Sequence, residues 1–227
     1  VIEIGPGRGI LTGALLSRGA RVIAVEMDDR LFEKLPALFS EKGDFRAIGA
    51  DFLKLDLAEL GEGPVKFVAN LPYSVATPIL QRILYWPHWT QAVLMFQKEV
   101  AERITAGPGN GDYGLLTLSV LARADAEMVL EIGRESFAPR PKVASAVVRL
   151  TRHAAPLIET EAQEKLFFRI AKAAFGQRRK MASGLIARAL NMERSAVIEA
   201  LERRGLKPTC RAEEIPFDAY LSLVKEL

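Results

Sequence analysis

Asn70-Leu71-Pro72-Tyr73 puts a side-chain amide, a proline-fixed backbone and an aromatic ring on consecutive positions. The Asn70 side-chain oxygen and the Leu71 carbonyl are acceptors that can face the N–H groups of an exocyclic amine. On adenine such an amine is a poor nucleophile, because its lone pair is delocalised into the ring. Acceptors aimed at its hydrogens favour the pyramidal form and stabilise positive charge as it develops on nitrogen. Pro72 fixes its own backbone and biases Leu71 towards an extended conformation. Tyr73 offers a face on which a base can stack. No strong general base is required, which suits a chain whose only histidines are His88 and His153. The competing reading is a strand-ending proline turn with a buried tyrosine.

A second group lies at the start of the chain. Glu3-Ile4-Gly5-Pro6-Gly7-Arg8-Gly9 follows a strand-like run and precedes a helical one. Glycines there let the backbone turn tightly and approach a ligand, and a helix N-terminus adds a positive field. Glu26 follows at the end of the next strand, where an acid grips a ribose diol. Asp51 ends the strand after that and can accept from an adenine amino group. A dinucleotide motif needs a small residue at the position of Ile10, so pyrophosphate is disfavoured. Alternating glycines suit a ligand without phosphates, such as S-adenosylmethionine. Taken singly, Glu26 also reads as a surface acid at a strand end, and Asp51 as a helix N-cap.

These residues need a scaffold that brings strand ends together. Short β-type runs at 1–4, 21–27, 45–50, 65–71, 91–97, 126–133 and 143–151 alternate with helical patterns at 10–18, 30–39, 77–85, 99–105 and 115–124. Alternation of this kind predicts an α/β fold, a mostly parallel, doubly wound seven-stranded sheet with right-handed crossovers. In such a sheet the first and fourth strands are neighbours at the switch point, so Gly5 and Asn70 line one crevice. The last two strands, joined by the turn Phe137-Ala138-Pro139-Arg140-Pro141, suggest a late antiparallel pair. After Arg152 only helices are predicted, near 160–175, 178–191, 194–204 and 212–225, with Gly205 as a helix C-cap. The expected division is residues 1–152 and a small helical domain at 153–227. A strand that opens at Val1 with no turn before it suggests missing upstream sequence.

Composition bounds the rest. The chain has 227 residues, 49% hydrophobic and 26% charged, which excludes a disordered or fibrous protein. No apolar run approaches the ~18 residues of a membrane helix. The single Cys210 excludes an intrachain disulfide and a cysteine-rich metal site, and points to a reducing cytoplasm. Residues 1–152 hold 18 Lys+Arg against 18 Asp+Glu, so the net charge of +3 lies in the tail. Residues 165–192 contain seven cations and no acid. Arg178, Arg179 and Lys180 are its best candidates for phosphate contacts, although a solvated helix face is the simpler alternative. Phe137, in an exposed proline-rich turn, would set a second ring opposite Tyr73; core packing is its alternative. Residues 107–112 read as a loop, and Trp86 and Trp89 as structural.

Several segments together resemble one family. Val1 to Thr12 resembles the first motif of the ribosomal RNA adenine N6,N6-dimethyltransferases, with the bacterial small-subunit type the nearest. Asn70 to Pro78 resembles their target-base motif, and Gln97 to Arg103 their fifth-strand segment. Phe137 to Pro139, Pro141 to Val143 and Ser145 resemble the late Phe-Pro-Pro-Lys-Val-Ser block. Phe175, Gln177 to Lys180 and Arg211 to Glu214 resemble motifs of the helical domain.

The resemblance implies a class I methyltransferase fold with S-adenosylmethionine as cofactor and no metal. It assigns Gly5, Glu26, Asp51 and Asn70 to the cofactor, and Glu3 and Gly7 of the same glycine loop complete the expected set. It assigns Asn70, Leu71, Tyr73 and Phe137 to a flipped adenine; Lys142 joins Arg178, Arg179 and Lys180 as an expected RNA contact on the strength of its charge. The implied substrate is a pair of adjacent adenosines near the 3′ end of small-subunit ribosomal RNA, each methylated twice. The implied partner is a ribosome precursor, and the expected form a cytoplasmic monomer without membrane contact. The family also has an Asn-Phe-Leu segment before strand one that closes over the cofactor; its absence here implies weakened cofactor binding and an inactive fragment of a protein that is an enzyme in full. A non-catalytic RNA-binding assembly factor on the same fold is one alternative. Another is a large-subunit methyltransferase that confers antibiotic resistance. A nicotinamide oxidoreductase is disfavoured by Ile10.

Overall fold

Apolar runs of three to nine residues, several with no polar alternation, supply the strands of the sheet. The computed structural model describes residues 1–39 and 41–227. The strands are β1 (Ile2–Ile4), β2 (Val22–Glu26), β3 (Phe45–Gly49), β4 (Val65–Asn70), β5 (Trp89–Gln97), β6 (Ala124–Ile132) and β7 (Ser145–Arg152). Their order is β3-β2-β1-β4-β5-β7-β6. β1 to β5 pair in parallel. β7 runs antiparallel to β5, so the expected antiparallel strand is inserted inside the sheet and leaves β6 at its edge. Strands β1 and β2 are buried almost throughout, as both faces of a parallel sheet require.

The crossover helices are α1 (Ile10–Leu16), α2 (Asp29–Phe32), α3 (Leu35–Phe39), α4 (Ala76–Tyr85), α5 (Lys98–Thr105) and α6 (Leu115–Leu121). The helix expected over 30–39 is broken in two. Pro36 has no N–H and its ring clashes with the carbonyl four residues back, so α2 cannot continue through it. Trp86 and Trp89 are buried, and the Arg152 guanidinium lies over the Trp89 ring at 5.9 Å.

Four further helices follow: α7 (Glu161–Phe175), α8 (Ala182–Leu190), α9 (Arg194–Glu202) and α10 (Phe217–Glu226). Thr160 and Gln163 form a reciprocal cap at the start of α7. Gly205 adopts φ +71°, while its N–H bonds the Glu202 carbonyl and the Leu206 N–H bonds the Leu201 carbonyl, a Schellman ending for α9. Two expected helices differ. The stretch 177–181 is a turn, and α8 starts only at Ala182. The run from 212 divides into a 3-10 turn at Ala212–Glu214 and α10, separated at Pro216.

The chain divides into two compact units, residues 1–101 with 125–152 and residues 102–124 with 153–227. The expected single boundary at 152/153 therefore misplaces 102–124. Tyr113, Leu118 and Ala122 are buried in one cluster with Phe167, Ile186 and Tyr220. The α6 stretch thus supplies core to the helical unit. No helix among the described residues is long and apolar enough to cross a membrane.

Candidate active site

The β1–β4 register fixes the geometry from which the site grows. Ile2 pairs with Phe67 and Glu3 with Val68. Gly5 stands two residues beyond Glu3 and Asn70 two residues beyond Val68, each at the exit of its strand. The glycine bend and the Asn-Leu-Pro-Tyr corner therefore leave the same edge of the sheet at adjacent strand ends.

Gly5 and Gly7 adopt φ +68° and +58°, and no atom lies within 4 Å of where a Cβ would stand on either. The left-handed conformation demands glycine there, and open space lies in front of it. Gly9 shares the left-handed backbone, φ +80°, but a Cβ there would stand 2.4 Å from the Phe39 ring, so its lack of a side chain also serves packing. Glu26, buried at the end of β2, organises the bend. One carboxylate oxygen accepts from the Gly7 N–H at 3.0 Å, and the other from the Met27 and Asp28 N–H groups at 2.9 Å each. The oxygen facing Gly7 keeps a free lone pair.

Glu3 lies beneath the bend and is only 1% exposed. Thr12 on α1 donates to it at 2.7 Å. Burial pushes the Glu3 carboxyl up from its ordinary value of 4.5, the Thr12 hydrogen bond opposes that, and the nearby Glu26 adds to it. Asp51 does the local work of a cap: one oxygen accepts from the Leu53 N–H at 2.9 Å, and the other is 3.9 Å from Lys54 Nζ.

The target corner is assembled differently. A cleft of about 270 Å³ is lined by Asn70, Leu71, Pro72 and Tyr73 on one side and by Phe137, Ala138, Pro139 and Pro141 on another, with Met95 of β5 at its base. Asn70 is exposed, and its side chain makes no hydrogen bond among the described residues. Leu71 is 2% exposed, so its side chain anchors the corner in the core. The Pro72 carbonyl accepts from the Val75 N–H at 3.1 Å and turns the chain into α4. Tyr73 and Phe137 are both half-buried, and the Tyr73 hydroxyl lies 2.5 Å from Ser145 Oγ.

Three residues here were given no role in the sequence. Met27, 70% exposed directly after Glu26, is an apolar side chain left open at the rim of the bend. A methionine presented to solvent after a strand-end acid was the available signal. Arg82 of α4 donates to the Leu53 and Leu55 carbonyls and lies over the Phe52 ring at 6.0 Å. It ties the helix that follows the target corner to the segment that follows Asp51, and nothing local marks it for that. Ser145 is the third.

The cations of the helical unit are unequally placed. Arg178 donates to the carbonyls of Gly111 and Tyr113 at 2.6 and 3.2 Å. The Gly109 N–H bonds the Glu213 carbonyl at 2.7 Å, so the 107–113 loop is fastened at both ends. Arg179 and Lys180 are exposed, and their side chains make no hydrogen bond or ion pair among the described residues. Lys142 is likewise exposed, on the loop after Phe137.

The family model described as "Ribosomal RNA adenine dimethylase" matches residues 1–227. The chain belongs to that family. Membership gives the reaction class, methyl transfer from S-adenosylmethionine to adenine of ribosomal RNA. The chain is 42% identical to "Ribosomal RNA small subunit methyltransferase A" of Ruegeria pomeroyi over 233 residues, spanning 100% of this chain and 81% of that protein. It is 45% identical to the protein of the same name from Phenylobacterium zucineum, spanning 98% of this chain and 76% of that one. Among solved structures, the 23S rRNA methyltransferase ErmE superposes with a TM-score of 0.81 at 29% identity, covering 100% of this chain and 89% of that one. A dimethyladenosine transferase from Plasmodium falciparum gives 0.78 at 25% identity, covering 98% and 87%. The expected class I methyltransferase fold and the methyl donor are thus in place.

The residues present fit that donor. The Gly5 and Gly7 positions form a cradle that a Cβ would fill, the free lone pair of Glu26 suits a ribose hydroxyl, and the second Asp51 oxygen suits an amino group. When bound, S-adenosylmethionine supplies an electrophilic methyl group on a sulfonium.

Proposed function

We propose that this protein converts two adjacent adenosines near the 3′ end of small-subunit ribosomal RNA to N6,N6-dimethyladenosine. It acts in the cytoplasm as a monomer, without a metal, on a ribosome precursor of the 30S particle, and serves as a late assembly factor. One observation carries the reading: the Asn70–Tyr73 corner and Phe137 line one cleft, beside a glycine bend whose own strand pairs with the strand ending at Asn70. The names of the bacterial relatives support the small-subunit assignment.

In this reading Gly5, Gly7, Glu26 and Asp51 hold the donor, and Glu3 supports the bend from below. Tyr73 and Phe137 take the two faces of a flipped adenine. The Asn70 oxygen and the Leu71 carbonyl accept from its N6 hydrogens and favour charge growing on nitrogen. Two aromatic faces add about 0.5–2 kcal/mol to that preference. Bound S-adenosylmethionine would supply the methyl group, and the proton that N6 loses would pass to water. Arg179, Lys180 and Lys142 meet RNA phosphates; Arg178 adds its remaining N–H groups.

The test is incubation with methyl-labelled donor and immature small subunits, with dimethyladenosine read by mass spectrometry of the digested RNA. Dimethyladenosine at two adjacent positions is expected. Label on large-subunit RNA in its place would reassign the protein to the large subunit. No transfer to either, with RNA binding intact, would leave a non-catalytic assembly factor.

A further inference from the structure

Ser145 opens β7 and is fully buried, paired with Gln97 of β5. The residue before it is pinned, since the Lys98 N–H bonds the Ala144 carbonyl at 2.9 Å. A buried serine at a strand start is a poor choice for packing alone, because an unpaired buried hydroxyl is destabilising. Here it has one partner, the Tyr73 hydroxyl at 2.5 Å, 72 residues away in the chain. No other hydrogen bond of either hydroxyl is present among the described residues. If the Tyr73 ring swings away, the Ser145 hydroxyl is left buried and unpaired. The pair therefore holds the phenol by its tip, while Pro72 holds it by its root.

From this juxtaposition we infer that Ser145 is a positioning residue, which holds in place the Tyr73 ring on which the target adenine stacks. The inference rests on the target-base reading above. It also links the two walls of the cleft, since Ser145 ends the same loop that carries Phe137. A ring free to tilt would still bind RNA through phosphates. It would present the adenine in fewer productive orientations, and orientation governs turnover. The effect belongs on kcat with RNA, while the donor, held by other residues, keeps its KM.

The experiment compares the wild type with Ser145→Ala, Tyr73→Phe and the double variant, on immature small subunits at saturating donor. Each single variant should lower kcat about five- to tenfold, the worth of one hydrogen bond. The double variant should lie no lower than either single one, because both remove the same hydrogen bond. Tyr73→Ala, which removes the ring, should fall much further. Ser145→Cys, with a weak donor in the same place, should recover part of the loss. Wild-type kcat in Ser145→Ala, additive losses in the double variant, or an altered donor KM would each overturn the positioning role. If Ser145→Ala melts far below the wild type, Tyr73→Phe decides the question, and unchanged kcat there overturns the inference. A wild type that transfers no methyl group defeats the proposed function itself, and the positioning role falls with it.

Discussion

The glycine bend and the target corner leave the same edge of one sheet, yet they use their polar groups in opposite ways. On the donor side every carboxylate is already engaged: Glu26 by three backbone N–H groups, Glu3 by Thr12 and Asp51 by Leu53. On the target side the Asn70 amide is exposed and without a hydrogen-bond partner among the described residues. The donor side is one glycine-rich run held by acids at the ends of the neighbouring strands. The target side is built from segments far apart in sequence and keeps its acceptor open. The acids at the bend are each partly satisfied by the protein, whereas the amide proposed to act on the reacting atom is left wholly open. The helical unit repeats the division, with Arg178 bonded to its own backbone and Arg179 and Lys180 open to solvent.

The sharpest way to break this contrast is Asn70→Ala. Loss of the open acceptor should cut kcat by about 10²–10³-fold with little change in melting temperature, as for removal of one transition-state hydrogen bond. A variant that melts early but turns over normally would place Asn70 with the structural groups. Next comes Glu26→Gln. An amide presents one N–H₂ where the carboxylate accepted, so either the Gly7 or the Met27–Asp28 bonds are broken. Donor affinity should fall about tenfold or more, and thermal stability should fall with it. Calorimetric titration with S-adenosylmethionine and a melting curve measure the two together.

In the helical unit, Arg179→Ala with Lys180→Ala should weaken RNA binding and reduce its salt dependence by about 0.7–0.9 log units for each phosphate no longer neutralised. The melting temperature should hold. Arg178→Ala should do the reverse in the main, lowering stability by freeing the 107–113 loop. Filter binding across a salt series, beside melting curves, separates the pair.

The smallest expected effect is a pH dependence. The Glu3 carboxyl is raised by burial above its ordinary value of 4.5. The folded state then holds the proton more tightly than the unfolded chain. The stability from this group is full below about pH 4, and is lost as pH rises through the raised value. Glu3→Gln cannot ionise and keeps an acceptor for Thr12. Its melting temperature relative to wild type should rise with pH from about 4 upwards, and a constant difference would remove Glu3 from the set of strained acids.

Much of this was legible in the chain. All seven strands lie where the apolar runs put them, with ends shifted by one or two residues. The glycine loop, Glu26, Asp51 and Asn70–Tyr73 are short-range patterns at strand ends, and strand order sets those ends side by side. The breaks at Pro36 and Pro216 were also legible in principle, since a proline cannot donate within a helix. The engagement of Arg178, Arg82 and Ser145 was not. Their partners are carbonyls and a hydroxyl remote in sequence, and a lone serine or arginine carries no period or spacing that names such a partner.

The sequence by itself determined which residue types stand at which strand ends, because backbone preference and hydrophobic pattern act over a few neighbours. Only the tertiary structure decided which of those polar groups are bonded within the protein and which remain open. Hydrogen bonds between distant segments exist only once the sheet has closed the distance between them. Glu26 and Asn70 look alike in the chain as polar strand endings, and the fold alone makes the first a fastening and leaves the second an open acceptor.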